Sequence, residues 1–242
     1  MSIIERPLGR VEPTDDKHLQ LYPLTAGTVP APPTPVVLGV NWYTAFDAPT
    51  KDAAGRYWIG RGTDWGRVRG GHAVCLKPVR VADSLDWWRY YDQGQEGACV
   101  GFACSRMMTL LNRERYNARW LYLEAQKIDD WPGEDYSGTS VRAALDVLRA
   151  RGHRRPGATA AVPATGIAEF RWASTVDQVL ACLLGPGATG GSAHERLQAF
   201  PLLNSWGDDY PRVVWVPFAA MQRLMDEHGD AAVVTDRVGV AS

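Results

Sequence analysis

The run Asp92-Gln93-Gly94-Gln95-Glu96-Gly97-Ala98-Cys99-Val100-Gly101-Phe102-Ala103 constrains this chain more than any other. A glycine-rich turn delivers a cysteine to the head of an apolar segment. Its hydrophobic residues, Val100, Ala103, Met107, Leu110 and Leu111, recur near the period of an α-helix. The first turn of a helix favours negative charge through its dipole and its unpaired amide donors, and the thiolate is the form that attacks carbonyl carbon. Gln93, upstream of the cysteine, can offer its side-chain amide to an oxyanion developing on the attacked carbonyl. The same pattern also fits an ordinary buried core thiol, so the cysteine needs partners before it implies chemistry.

Two further segments supply such partners: Gly70-Gly71-His72-Ala73-Val74 offers a base, and Asn204-Ser205-Trp206-Gly207 offers a group to orient it. Together the three runs resemble the papain-like cysteine peptidases, whose signatures are a Gln-Gly-x-x-Gly-x-Cys turn, a His-Ala-Val strand and an Asn-Ser-Trp-Gly turn. The resemblance implies an α+β, two-lobed fold, with a helical lobe carrying the cysteine and an antiparallel sheet or barrel lobe carrying histidine and asparagine. It implies a cysteine-type endopeptidase in which Cys99 is the nucleophile, His72 the base and Asn204 its orienter. Trp206 would shield the His–Asn contact, and Gln93 with the Cys99 backbone amide would form the oxyanion hole. Gly138 and Thr139 resemble the glycine-containing wall along which substrate backbone lies. No cofactor and no metal is implied, and the partner is a peptide or protein substrate. A related amide hydrolase or transpeptidase, or an inactive papain-like binding module that kept the motifs, would carry the same residues. The neighbours of the nucleophile, Ala98 and Val100, depart from the serine and tryptophan of papain.

The family order is cysteine, histidine, asparagine, whereas this chain reads His72, Cys99, Asn204. Such a triad is defined by geometry and roles, not by sequence position. The segment from Pro35-Val36-Val37-Leu38-Gly39-Val40-Asn41-Trp42-Tyr43 to about Arg80 resembles the piece that family members carry just before their Asn-Ser-Trp-Gly strand. A circular permutation or segment transposition is therefore expected. A proline-rich stretch, Thr25 to Pro35, precedes this piece, and a glycine-rich connector, Gly185 to Ser192, lies where it would otherwise stand. The organisation expected is a leader arm and linker over 1–35, a transposed β segment over 36–81, the helical lobe over 82–157 and the rest of the sheet lobe over 158–242. His194 is a rival base that keeps the usual order, but its surroundings read as linker and leave little room for two paired strands before Asn204.

Length and composition agree with one globular catalytic unit, since 242 residues with 45% hydrophobic content can bury a substantial core. A net charge of -1 gives no case for a nucleic-acid or membrane-surface partner. The arginines at 149, 151, 154 and 155 read as a solvated helix end. Neither a signal peptide nor a membrane-length apolar run is visible, which points to a cytoplasmic protein; its oligomeric state stays open. Of the other cysteines, Cys104 should lie about 140° around the helix from Cys99 and Cys75 on the strand face opposite His72, so both read as core thiols. The four cysteines lack metal-site spacing and suit a reducing compartment. His18, His153 and His228 read as surface residues, and Asp47 and Asp64 as loop acids at the cleft rim. Helices are expected over 119–127, over 140–148 from a serine cap, and over 176–184; strands are expected over 36–40, around His72, into Asn204 and over 212–217.

Overall fold

The computed structural model describes residues 20, 22–78, 91–131, 137–185 and 192–239. Most of the expected leader arm, most of the glycine-rich connector, the end of the transposed segment and His18 lie outside these residues. The architecture is α+β. Its elements run β1 (Val36–Tyr43), β2 (Thr50–Lys51), β3 (Tyr57–Trp58), β4 (Val68–Leu76), α1 (Cys99–Asn112), α2 (Ala118–Ala125), α3 (Val141–Arg151), β5 (His153–Arg154), β6 (Ala161–Val162) and β7 (Ile167–Ala173). They continue with α4 (Val176–Leu184), α5 (Ala193–Leu197), β8 (Ala199–Leu203), β9 (Val214–Pro217), α6 (Phe218–Asp226) and β10 (Asp230–Arg237). One sheet joins eight strands in the order β2-β3-β9-β8-β4-β1-β10-β7, antiparallel except for the β3–β9 pair. β5 and β6 pair separately.

Side-chain alternation along the strands feeds two cores. Val36, Leu38 and Val40 of β1, with Val74 and Leu76 of β4, enter a core that includes Trp42, Phe200 and Leu202 and is closed by Leu183 of α4 and Leu224 of α6. Val37, Ala73 and Cys75 enter the other core, built with α1, α2 and α3. Central strands buried on both faces read as near-continuous apolar runs, which explains the sequence of β1.

Helix α1 is the axis of the second core, buried at every residue from Cys99 to Leu110. Gly101 lets α2 pack directly on it, because a Cβ there would stand 2.6 Å from the Tyr122 Cβ and 2.7 Å from the Ala118 carbonyl oxygen. α3 starts where its serine cap indicates: the Ser140 hydroxyl accepts the Ala143 N–H at 3.1 Å. It stops at Gly152, whose φ of 75° suits a residue without a Cβ. α4 occupies the expected 176–184, capped by the Thr175 side chain.

The hairpin of β1 and β4 sits between β8 and β10. At its leading end, the Thr34 N–H donates to the Cys182 carbonyl at 2.8 Å, and a Cβ on Gly185 would lie 3.1 Å from the Pro33 ring. At its trailing end, the Lys77 N–H donates to the Pro201 carbonyl at 3.0 Å, and His194 Nε2 donates to the Lys77 carbonyl at 3.2 Å. Both ends of 34–77 therefore abut the chain on either side of the connector.

Several expectations change. β7, β10 and α6 were not anticipated, and the strand expected from Arg212 begins at Val214. His153 is fully buried, not on the surface: it stacks on Tyr116 at 4.5 Å and shares a 2.8 Å hydrogen bond with Ser105. Burial pushes its pKa down to about 3. The arginines at 149, 151 and 155 do stay largely exposed, pairing at the surface with Asp146, Glu124 and Glu114. Among the described residues no helix is long and apolar enough to cross a membrane.

Candidate active site

Cys99 opens α1, and the preceding Ala98 has no side chain able to cap the helix. The sulfur is fully buried, in one cluster with Cys75 and Cys104. Cys104, five residues along the same helix, is a buried core thiol as its position around the helix indicates. Burial pushes Cys75 up to about 12 and Cys104 up as well, so both are inert core thiols. Cys182, in the other core, is likewise raised to about 12.

His72 is the register partner of Val40 at the centre of the sheet. Its Nε2 stands 2.9 Å from Asn204 Oδ1. The same oxygen accepts the Ser205 N–H at 2.7 Å, which fixes the asparagine amide with oxygen toward the ring. Nε2 must then carry the proton, and in the neutral imidazole Nδ1 is left as the basic nitrogen. Nδ1 is buried and accepts no hydrogen bond, from Cys99 or from any other group. Two indoles enclose the ring, Trp206 at 5.0 Å and Trp42 edge-on at 4.6 Å. Burial drives the His72 pKa down to about 4 despite the opposing Asn204 bond, and Arg69 lowers it further. A fully buried ring holds its charge poorly, so the neutral imidazole is favoured.

The turn Asn204-Ser205-Trp206 is tied to the cysteine side of the site. Gln93 N–H donates to the Ser205 carbonyl at 2.9 Å, and Asp92 bridges Trp206. Gly207, with φ 62°, fits against Asp92, whose Oδ2 would lie 2.6 Å from an added Cβ. The Gln93 side chain is buried and gives one of its two Nε2 hydrogens to the Glu96 carbonyl at 2.9 Å.

Gly138 and Thr139 lie near the same turn, since the adjoining Ser137 hydroxyl accepts the Gly97 N–H at 3.0 Å. The Gly138 N–H donates to the Tyr122 hydroxyl at 3.2 Å and its carbonyl accepts from Gln126 at 3.1 Å. Thr139 is fully buried and donates to Asp129 at 2.8 Å. A peptide running along Gly138 would have to exchange these internal bonds.

His194 is held elsewhere, in the capped helix α5 and not in a linker; it bonds the Lys77 carbonyl and packs on Trp215. Asp64 is a local turn acid that accepts the Gly66 N–H. Asp47 does more, taking hydrogen bonds from Trp42 Nε1 at 3.0 Å and Arg69 at 2.6 Å, so it fixes the indole that packs on His72. The sequence reading missed Trp42 and Arg106 as parts of the site. Their signals were a tryptophan in register with the His72 strand, and an arginine on the apolar cysteine helix. Among the described residues no group of acidic, histidine or cysteine side chains could hold a metal.

No family model matches the chain, and no curated protein matches it. Among solved structures it is similar to xylellain, described as a cysteine protease from Xylella fastidiosa, with 14% identity, a TM-score of 0.49, and coverage of 95% of this chain and 96% of that one.

Proposed function

We propose that the protein is a papain-like cysteine endopeptidase acting through Cys99, His72 and Asn204. The observation that carries this reading is the buried His72–Asn204 bond, whose tautomer leaves Nδ1 as the base. As a peptide carbonyl arrives, Nδ1 takes the Cys99 proton while sulfur forms a bond to the carbonyl carbon. The C–N bond then breaks and the imidazolium passes that proton to the departing amine. Water, deprotonated by Nδ1, hydrolyses the thioester and returns the thiol. Gln93 and the Cys99 N–H stabilise the oxyanion in both steps, and Trp206 keeps water from the His72–Asn204 bond. Gly138 and Thr139 form the wall for substrate backbone, and no cofactor takes part.

We read the connectivity as a transposed segment. With both ends of 34–77 against 182–185 and 194–201, the family's chain order could be restored by short reconnections. One observation favours a second reading, that of an inactive binding module: Cys99 and His72 are both fully buried and no hydrogen bond joins them.

Iodoacetamide alkylation resolved by site, together with peptide hydrolysis, separates the two. A peptidase alkylates Cys99 well ahead of Cys75, Cys104 and Cys182, loses that advantage in His72→Ala, and loses hydrolysis in Cys99→Ala with its melting temperature kept. Equal, slow reactivity of all four thiols and no hydrolysis would establish the binding module.

A further inference from the structure

Arg106 is a buried cation that the mechanism above leaves unused. It is 8% exposed, with its guanidinium 5.2 Å from the Tyr91 ring centroid. It follows Cys99 by two helical turns, about 20° around α1 and about 10 Å along it, so the two residues share a face. Long side chains on a helix lean toward its N-terminus, which brings the guanidinium back toward the cysteine's end. There Nη2 donates to the backbone carbonyl of Asn204 at 3.3 Å. The reach of its charge into the thiol cluster is visible at Cys75, where it works against the rise caused by burial.

Asn204-Ser205 is thereby held from three sides: by His72 of β4 at the side-chain oxygen, by Gln93 at the Ser205 carbonyl, and by the cysteine's own helix at the Asn204 carbonyl. We infer that Arg106 is a positioning residue of the site, clamping Asn204 to the cysteine helix so that His72 keeps its Nε2–H tautomer. Its role in turnover rests on the peptidase reading, whereas its hold on Asn204 and the His72 tautomer does not. The titratable groups that share a core with Cys99 are Cys75 of β4, Cys104 of α1 and Tyr116, and the Arg106 guanidinium lies over Tyr91.

The test is nitrogen NMR of the His72 ring in the full-length protein and in Arg106→Met and Arg106→Lys, with melting temperatures recorded alongside. The inference expects a single Nε2–H tautomer in the native protein, a mixture in Arg106→Met, and recovery in Arg106→Lys, whose ammonium can still donate to a carbonyl. An unchanged tautomer in a folded Arg106→Met overturns it. So does equal loss in Met and Lys variants with equally lowered melting temperatures, which would make Arg106 a packing residue. In hydrolysis, Arg106→Met should lose about 10- to 100-fold in kcat with little change in KM, the scale of a catalytic group displaced by less than about 1 Å. If the native protein hydrolyses nothing, the peptidase reading fails, while the tautomer comparison still decides the role of Arg106.

Discussion

His72 Nε2 and Asn204 Oδ1 meet at 2.9 Å across 132 residues of chain, and the Ser205 N–H on the same oxygen decides which of them donates. Asn204→Ala would leave two buried donors without an acceptor. Each costs about 1–3 kcal/mol, so denaturant unfolding should show a clear loss of stability alongside a fall in kcat. Asn204→Asp keeps the acceptor but adds negative charge, which raises the His72 pKa. The acid limb of kcat/KM should then move to higher pH, because the base is protonated earlier.

Gln93→Ala should act on the transition state alone. The oxyanion exists only after attack, so kcat should fall about 10²- to 10³-fold with KM nearly unchanged. The fold should persist, since the tie to Ser205 uses the backbone N–H of residue 93. Steady-state kinetics on a chromogenic peptide would check this, and an equal rise in KM would remove Gln93 from the oxyanion role.

Acid should destabilise the protein earlier than its carboxylates can explain. Burial holds His72 at about 4 and His153 at about 3, below the unfolded value of about 6.5. Since the unfolded chain binds those protons more readily, their contribution is complete above about pH 6.5 and is lost as pH falls toward the folded values. Each histidine should add a slope approaching about 1.4 kcal/mol per pH unit. Urea melts from pH 7.5 to 4.5 should show this decline, with one histidine's share missing in His153→Asn. A flat profile would mean that neither ring is buried in its neutral form.

Moving residues 34–77 to between Gly185 and Ser192, through short Gly-Ser joints, should give a folded protein with the same tryptophan near-ultraviolet circular dichroism. The strand neighbours would be unchanged, since β4 would still pair with β1 and β8. Loss of that signal would show that the present chain order is needed for the sheet.

Local chemistry made much of this legible from sequence. Ser140 and Gly152 bracket α3, Thr175 opens α4, and the dense apolar run of β1 marks a strand with both faces covered. What escaped depends on distant partners. β10 opens with Asp230, Ala231 and Ala232, weak strand formers that are recruited between β1 and β7 by pairing on both sides. His153 sits beside arginines in sequence, yet stacks on Tyr116 in space. The His72, Cys99 and Asn204 runs were found because each is a compact motif. Arg106 was not, because an arginine on an apolar helix marks an unusual position without naming its partner, a backbone carbonyl.

The tie between Gln93 and Ser205 also bears on how the site could open. The glutamine, though it belongs to the run leading into the cysteine helix, is fastened to the loop that orients the histidine. If helix and sheet swing apart, with the Arg106–Asn204 bond released, Gln93 travels with the sheet, and the bend falls in Gly94 to Ala98, where a Cβ added at Gly94, φ 60°, would meet nothing within 4 Å. The oxyanion donor and the nucleophile would then separate and re-form as one event, coupling access for a peptide to assembly of the hole that stabilises its cleavage.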